Sequence, residues 1–290
     1  MKRILITGSS GLIGSSLLPL LIDNYDVYAV ERKTTATINP GIKCITCDLS
    51  GNWNTSILPP KTDCIIHLAQ SEHFRDFPAK ASDVFYTNTL STLKLLDYAQ
   101  KAGVKTFIYA SSGGIYGNSD KGFTEDAEIV SRGDLGFYLG TKLSSEIIAE
   151  NYSSIFDIII LRMFFVYGEK QKRSMLIPRL IDSVQTGAPI ALNGEKGLTI
   201  NPIYVQDAAK AILKAIELNG SHKINIGGTE NLSLKEIGDI IGKSMDKKPN
   251  YNILDAEPKN LIGDISKMKK LLIEPSVKFK EGVKLMLQNG

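Results

Sequence analysis

Cysteine is scarce. Cys44, Cys47 and Cys64 are the three in 290 residues, an odd number that excludes a disulfide framework and leaves reduced thiols as the default. Histidine is equally sparse, with His67, His73 and His222 scattered. The two-residue spacing between Cys44 and Cys47 therefore finds no second ligand pair, and no metal site is expected. Neither sign of charge dominates: 34 basic and 31 acidic residues, mixed along the chain, leave a formal net charge of +3, which argues against a nucleic-acid surface. Lys267, Lys269 and Lys270 read as a solvated helix face. Long apolar runs are missing too. No segment approaches the ~18 residues needed to span a bilayer, and the apolar start stops at Gly8 without the cleavage pattern of a secretory leader. A cytoplasmic protein with no nucleic-acid or membrane partner is the expectation.

What is there is an ordinary globular composition, 43% hydrophobic and 22% charged, enough for one large or two unequal domains. Ile4-Leu5-Ile6 centres a short buried strand, and Gly8-Ser9-Ser10-Gly11-Leu12-Ile13-Gly14 follows as a turn opening a helix. Strand, glycine-rich turn and helix in that order make a dinucleotide-binding start. Gly8 permits the turn, Gly11 lets backbone amides approach a pyrophosphate, and Gly14 lets the helix lie close on the strand, so the phosphates meet a helix N-terminus. Pro19 falls inside that helix, where it costs a hydrogen bond or a kink.

Further strands are predicted at 26–30, 43–46, 63–68, 104–110 and 157–161. Helical periodicity runs from Ala81 to Ala102, stopped by Gly103, and from a cap at Asp134 to about Tyr152. This alternation implies an α/β fold with a doubly wound parallel sheet over residues 1–166. After Gly168 the pattern mixes, with helices over 175–185 and 207–218 around a strand at 200–205. A smaller mixed α/β domain over 167–290 is expected to bind substrate above the carboxyl ends of the strands, with some segments returning to the core.

Two elements carry chemistry. Tyr138 and Lys142 stand four residues apart on a predicted helix, so phenol and ammonium share a face. A nearby ammonium favours phenolate, which suits Tyr138 to general acid/base work. Ser112 ends the strand Tyr109-Ala110-Ser111-Ser112 at the crevice, where its hydroxyl can hold a substrate oxygen beside the phenol.

These elements, in this order and spacing, resemble the extended short-chain dehydrogenase/reductase superfamily in its NAD-dependent epimerase/dehydratase branch, over nearly the whole chain. Asp48-Leu49, His67-Leu68-Ala69, Asn88, Arg162 through Tyr167-Gly168, Asn201-Pro202-Ile203-Tyr204-Val205-Gln206-Asp207 and Asp264-Ile265-Ser266-Lys267 add to the likeness. The resemblance implies a Rossmann domain holding NAD or NADP. Gly8, Ser10, Gly11, Leu12, Ile13, Gly14, Glu31, Arg32, Asp48, Leu49, Leu68, Ala69, Gln70, Asn88, Tyr138, Lys142 and Phe165 are the cofactor contacts it suggests. It further implies Tyr138 as acid/base, Lys142 as the cation that lowers the phenol's pKa and binds the nicotinamide ribose, and Ser112 as the holder of the reacting oxygen. Hydride then moves between a sugar carbinol carbon and the nicotinamide. Substrate contacts are expected at Ser71, Ser112, Gly113, Gly114, Tyr138, Phe165 and Arg179, and a homodimer through the helices 81–102 and 134–152.

The departures sharpen the reading. Dehydratases of this family place an acidic pair after the serine. Here Gly113 and Gly114 stand there, so elimination lacks its acid and base, and room beside the reacting carbon is expected. By the resemblance, epimerisation at C4 of a nucleotide-linked sugar is thereby favoured over its alternatives, a ketosugar or carbonyl reductase and a non-catalytic cofactor sensor. The asparagine and proline flanking Val-Tyr-Gly in many members are Phe165 and Glu169. The arginine that grips the sugar diphosphate is Ile200, with Arg173, Arg179 and Lys259 as candidate replacements. Glu31 at a strand end suits an adenosine ribose and repels a 2′-phosphate, whereas Arg32 and Lys33 suit that phosphate; NAD is favoured.

Overall fold

The structure is a computed structural model and describes residues 1–33, 41–130 and 135–289. Its first half alternates β1 (Lys2–Thr7), α1 (Leu12–Leu21), β2 (Tyr25–Glu31), β3 (Ile42–Thr46), β4 (Cys64–His67), α2 (Ala81–Phe85), α3 (Ser91–Ala102), β5 (Thr106–Ser112), α4 (Gly136–Glu150) and β6 (Asp157–Met163). The second half holds β7 (Val166–Tyr167), α5 (Leu176–Thr186), β8 (Ile190–Asn193), β9 (Thr199–Ile200), β10 (Ile203–Tyr204), α6 (Val205–Ala215) and β11 (His222–Ile226). It closes with β12 (Leu232–Ser233), α7 (Leu234–Met245), β13 (Tyr251–Leu254), α8 (Ser266–Leu271) and α9 (Phe279–Asn289).

Seven strands form one parallel sheet in the order β11-β6-β5-β4-β1-β2-β3. Ile4, Leu5 and Ile6 are wholly buried, as a strand covered on both faces requires. Leu17 and Leu21 of α1 pack with Ala208, Ile212 and Ala215 of α6 on one face. Leu95, Leu96 and Ala99 of α3 cover the other. Chain order reverses between β1 and β4, so the crevice opens above their carboxyl ends.

The boundary expected at 166/167 does not divide the molecule cleanly. β11 and α6 come from the second half yet complete the sheet and its helical cover. The remainder builds its own core from α5, α7 and α9. Two motif residues of this half act as ties: Asp207 accepts the amides of Ser276 and Val277, both at 2.8 Å, and Asn201 Nδ2 donates to the Gly263 carbonyl at 2.9 Å.

Local differences from expectation have local causes. The predicted strand at 200–205 is two short strands, because the proline of Asn201-Pro202 cannot donate to a ladder. α1 continues through Pro19 to Leu21. The helix predicted over 81–102 is continuous but contains a π-helical turn at Tyr86–Leu90, and it ends at Gly103 with φ +72°, the left-handed stop glycine favours. Asp134, expected to cap α4, lies outside the described residues.

Candidate active site

Gly8 sits at φ +70°, and a Cβ there would lie 2.7 Å from the Ala69 amide nitrogen. At Gly14 a Cβ would fall 2.3 Å from the Gly8 carbonyl oxygen and 2.5 Å from Ser9 Cα. Backbone therefore closes on backbone at both positions, and only glycine fits. The turn is closed by the Gly11 amide donating to the Gly8 carbonyl at 3.1 Å, and it leads into the N-terminus of α1, a natural seat for a pyrophosphate.

Glu31 ends β2 and is 8% exposed. Expected to meet a ribose, its carboxylate here accepts the Ser9 hydroxyl, the Ser10 amide at 2.8 Å and the Ser10 hydroxyl at 2.6 Å. It thus ties the glycine-rich turn to the strand end. Asp48 accepts both the amide and the hydroxyl of Ser50, and these hydrogen bonds hold its carboxyl below the usual range.

A cavity of about 550 Å³ runs over this turn, within the usual size of ligand pockets. Of the residues assigned to the cofactor, Gly8, Ser10, Gly11, Leu12, Ile13, Gly14, Glu31, Arg32, Asp48, Leu49, Leu68, Ala69, Gln70, Tyr138 and Phe165 line it, and Ser71 and Ser112 join them. Ser111 Oγ and Gln171 Oε1 lie buried in its wall with no hydrogen-bond partner among the described residues. Unsatisfied buried polar atoms facing a cavity are what a polar ligand would complete. The cradle and these atoms fit a dinucleotide.

The Tyr138 hydroxyl donates to Gln70 Oε1 at 2.9 Å, and its ring lies 5.2 Å from that of Phe74. Burial pushes the phenol above its ordinary range. This differs from the expected lowering by Lys142, because Lys142 is 2% exposed and its Nζ donates to the Ala110 carbonyl at 2.9 Å. Burial pulls Lys142 itself down to about 8, with Glu146 opposing. Lys142 lies beneath the cavity and does not line it. Ser112 Oγ accepts the Gly114 amide at 3.2 Å.

Several assigned residues fall elsewhere. Asn88 sits in the π-helical turn, 1% exposed, where its side chain accepts the Ser71 amide and donates to Thr141 Oγ1. It braces the Ser71 loop against α4 instead of lining the cavity. Gly113 and Gly114 do not line it either, and the room expected there is filled. A Cβ on Gly113 would lie 2.4 Å from the Phe164 ring, and one on Gly114 would lie 3.0 Å from a Leu139 methyl. His67 ends β4 and does not line the cavity: it is wholly buried between Thr7 and Thr92, and burial pulls it down to about 3.

On the substrate side, Arg179 is exposed on α5 away from the cavity, as is Lys259 on its loop. Arg173 pairs with Asp182, and Ile200 is wholly buried. His73 pairs with Asp76 at 2.8 Å, and Arg75 reaches the Ser174 carbonyl. The cavity's rim carries a pairing the sequence does not signal: Glu72 accepts Arg32 at 2.7 Å and Lys172 at 3.0 Å. Those two partners hold its carboxyl down to about 2. Phe74, Gln171, Lys172, Met175 and Leu176 also line the cavity. They come from loops and a helix start whose residue types suit many surfaces, so no pattern marks them. Phe165 occupies φ +45°, a region asparagine enters more readily than phenylalanine.

Known proteins share this fold and family pattern. Residues 4–227 match the NAD dependent epimerase/dehydratase family. The chain is 31% identical to the UDP-glucuronate 4-epimerase of Thermodesulfobacterium geofontis over 227 residues, 76% of this chain and 70% of that one. It is 26% identical to the dTDP-D-glucose 4,6-dehydratase of Homo sapiens, covering 99% and 89% of the two chains. The crystal structure of the UDP-glucuronic acid 4-epimerase from Bacillus cereus, in complex with UDP-glucuronic acid and NAD, superposes with a TM-score of 0.87 at 28% identity, over 99% of this chain and 98% of that one.

Proposed function

The chain belongs to the NAD dependent epimerase/dehydratase family, and from that premise we propose that it is an NAD-dependent 4-epimerase of a nucleotide-linked sugar. The observation that carries this reading is the surroundings of Ser112. Ser112 and Tyr138 border the same cavity as the glycine cradle, while the place where a dehydratase acid would stand is filled by the Phe164 ring.

Bound NAD would supply the hydride acceptor and later the hydride donor. The chain's own residues do the rest. Tyr138 acts as the phenolate, its own proton given up to water before the reaction: Oη takes the proton from the reacting sugar hydroxyl and returns it after the sugar has turned. Ser112 Oγ holds the same oxygen and restrains it through both halves of the cycle. For Tyr138 to act as a base, the substrate hydroxyl replaces Gln70 as the phenol's partner. The buried Lys142 ammonium, one helical turn away, then offsets the cost of the phenolate.

NAD over NADP is supported by Glu31, whose buried carboxylate would repel a 2′-phosphate, and by Arg32, whose guanidinium is paired with Glu72. We place the enzyme in the cytoplasm, in keeping with the free thiols Cys44, Cys47 and Cys64; no helix among the described residues is long and apolar enough to cross a membrane. A homodimer through α2–α3 and α4 is supported by Phe85, Tyr86 and Ile147, which these helices expose. Light scattering that finds a monomer at micromolar concentration would refute the dimer.

The deciding experiment offers nucleotide hexoses labelled with deuterium at C4. Epimers should interconvert without net cofactor consumption, and the label should stay largely in the product. Stoichiometric NAD(P)H consumption on a keto substrate without epimer formation identifies a reductase instead, and release of a 4-keto-6-deoxy sugar identifies a dehydratase.

A further inference from the structure

Tyr138, Lys142 and Glu146 follow one another at four-residue intervals on α4, so they stack along one face. The last two are nearly sealed from water, at 2% and 1% exposure. Glu146 is anchored from β6. Arg162, itself 1% exposed, donates Nη2 to Glu146 Oε2 at 2.8 Å and Nε to both carboxylate oxygens at 3.2 and 3.3 Å. Arg162 Nη1 then donates to Tyr116 Oη at 2.5 Å and to the Glu125 carbonyl at 3.2 Å. Buried ion pairs are costly to build, and replacing them with apolar groups is often neutral or stabilising. A pair buried one turn below Lys142 calls for a reason beyond stability.

The surroundings of Lys142 supply one. From β5 it meets the Ala110 carbonyl and the ring of Tyr109, 5.1 Å from Nζ. From β4 it faces His67, which burial keeps neutral. Tyr138 and Glu146 flank it on its own helix. Tyr116 and Arg162 face Glu146 from the opposite side. Among these groups Glu146 is the carboxylate that acts on Lys142, and it raises the ammonium's pKa against burial.

We infer that Glu146, anchored by Arg162, is a positioning residue that keeps the buried Lys142 in its ammonium form. It touches neither substrate nor cofactor and acts through Lys142. The inference rests on the reading of Lys142 as part of the reaction centre, but its test does not.

The test follows the titration of Lys142 by NMR of isotope-labelled lysine in the protein without cofactor or substrate, assigned with Lys142→Arg. Wild type should titrate near 8. In Glu146→Gln the midpoint should fall by about one unit, the low end of what a neighbouring opposite charge contributes. At pH 8 that leaves about fivefold less ammonium, and the alkaline limb of kcat/KM should move to lower pH. Glu146→Asp, which keeps the charge, should restore the midpoint toward wild type. Because Glu146→Gln strands the buried Arg162 charge at a cost to stability, Glu146→Gln/Arg162→Gln removes both charges and should show a smaller fall in the same direction, since the guanidinium opposes the ammonium. A folded variant without the carboxylate whose Lys142 titrates as in wild type overturns the inference, and the pair is then purely architectural. A shifted midpoint in a protein that epimerises nothing supports the role of Glu146 while rejecting the 4-epimerase reading.

Discussion

Adding one methyl group at Gly113 should destabilise this protein far more than its place in a turn suggests. The new Cβ would lie 2.4, 2.4 and 2.6 Å from three atoms of the Phe164 ring, where carbon atoms are comfortable at about 3.5–4.0 Å. The ring must therefore retreat by about 1 Å, and it has nowhere to go. Phe164 is 1% exposed, the backbone at Gly263 approaches it so closely that a Cβ there would lie 2.7 Å away, and Tyr116 stacks 6.1 Å off. Overpacking of this kind costs about 1–3 kcal/mol. At about 2–4 °C per kcal/mol in domains somewhat smaller than this one, a mid-range cost lowers Tm by about 4–8 °C. Calorimetry on Gly113→Ala, Phe164→Leu and the double variant closes the argument. The shorter leucine makes room for the methyl, so the pair should couple by about 1 kcal/mol or more, in the direction of rescue. Gly114→Ala should be milder, since its Cβ meets two flexible Leu139 methyls at 3.0 and 3.2 Å and Ser112 Oγ at 3.3 Å rather than a buried ring. An undiminished Tm for Gly113→Ala, or additive behaviour in the cycle, would refute the claim that packing against Phe164 keeps an acid out of this position.

Tyr138→Phe should fold and bind NAD as wild type does yet lose about 10²–10⁴-fold in turnover; near-normal turnover in steady-state assays removes Tyr138 from its role. Gly14→Ala forces a methyl against the Gly8 carbonyl and Ser9 backbone, so NAD affinity measured by calorimetric titration should drop about tenfold or more, equivalent to about 1.4 kcal/mol. His67 titrates near 3 when folded against 6.5 in the unfolded chain, so below about pH 6 the unfolded state takes up the proton first. This group should then cost about 1.4 kcal/mol of stability for each pH unit of acidification down to about 3. Urea midpoints of wild type and His67→Gln at pH 6 and pH 5 should diverge accordingly, and parallel slopes would contradict the burial argument.

Much of the site was legible because its signals are short-range. The turn Gly8 to Gly14 declares itself through residue types that only a close backbone approach demands, and the cavity forms over it. The spacing of Tyr138 and Lys142 places them on one helix face, which α4 bears out. The electrostatics of that pair were not legible: how far burial raises the phenol, and that Ala110 receives the ammonium, depend on how β5 meets α4. Asn88 shows the same limit. The resemblance suggested a cofactor contact, but a π-helical turn directs its amide to Ser71 and Thr141.

Sequence by itself pointed to the parallel sheet, the glycine-rich turn and the shared helix face of Tyr138 and Lys142, because hydrophobic periodicity, glycine geometry and four-residue helix spacing act between neighbours along the chain; the family came from the resemblance of its motifs to known proteins. Only the tertiary structure decided that β11 returns to the sheet, that Phe164 fills the space before Gly113, that Glu72 joins Arg32 to Lys172, and that Arg162 anchors Glu146 below Lys142. Each of these joins residues remote in sequence. Their energies come from close packing and from charge in places sealed from water or at a shared rim, which exist only once the chain has folded.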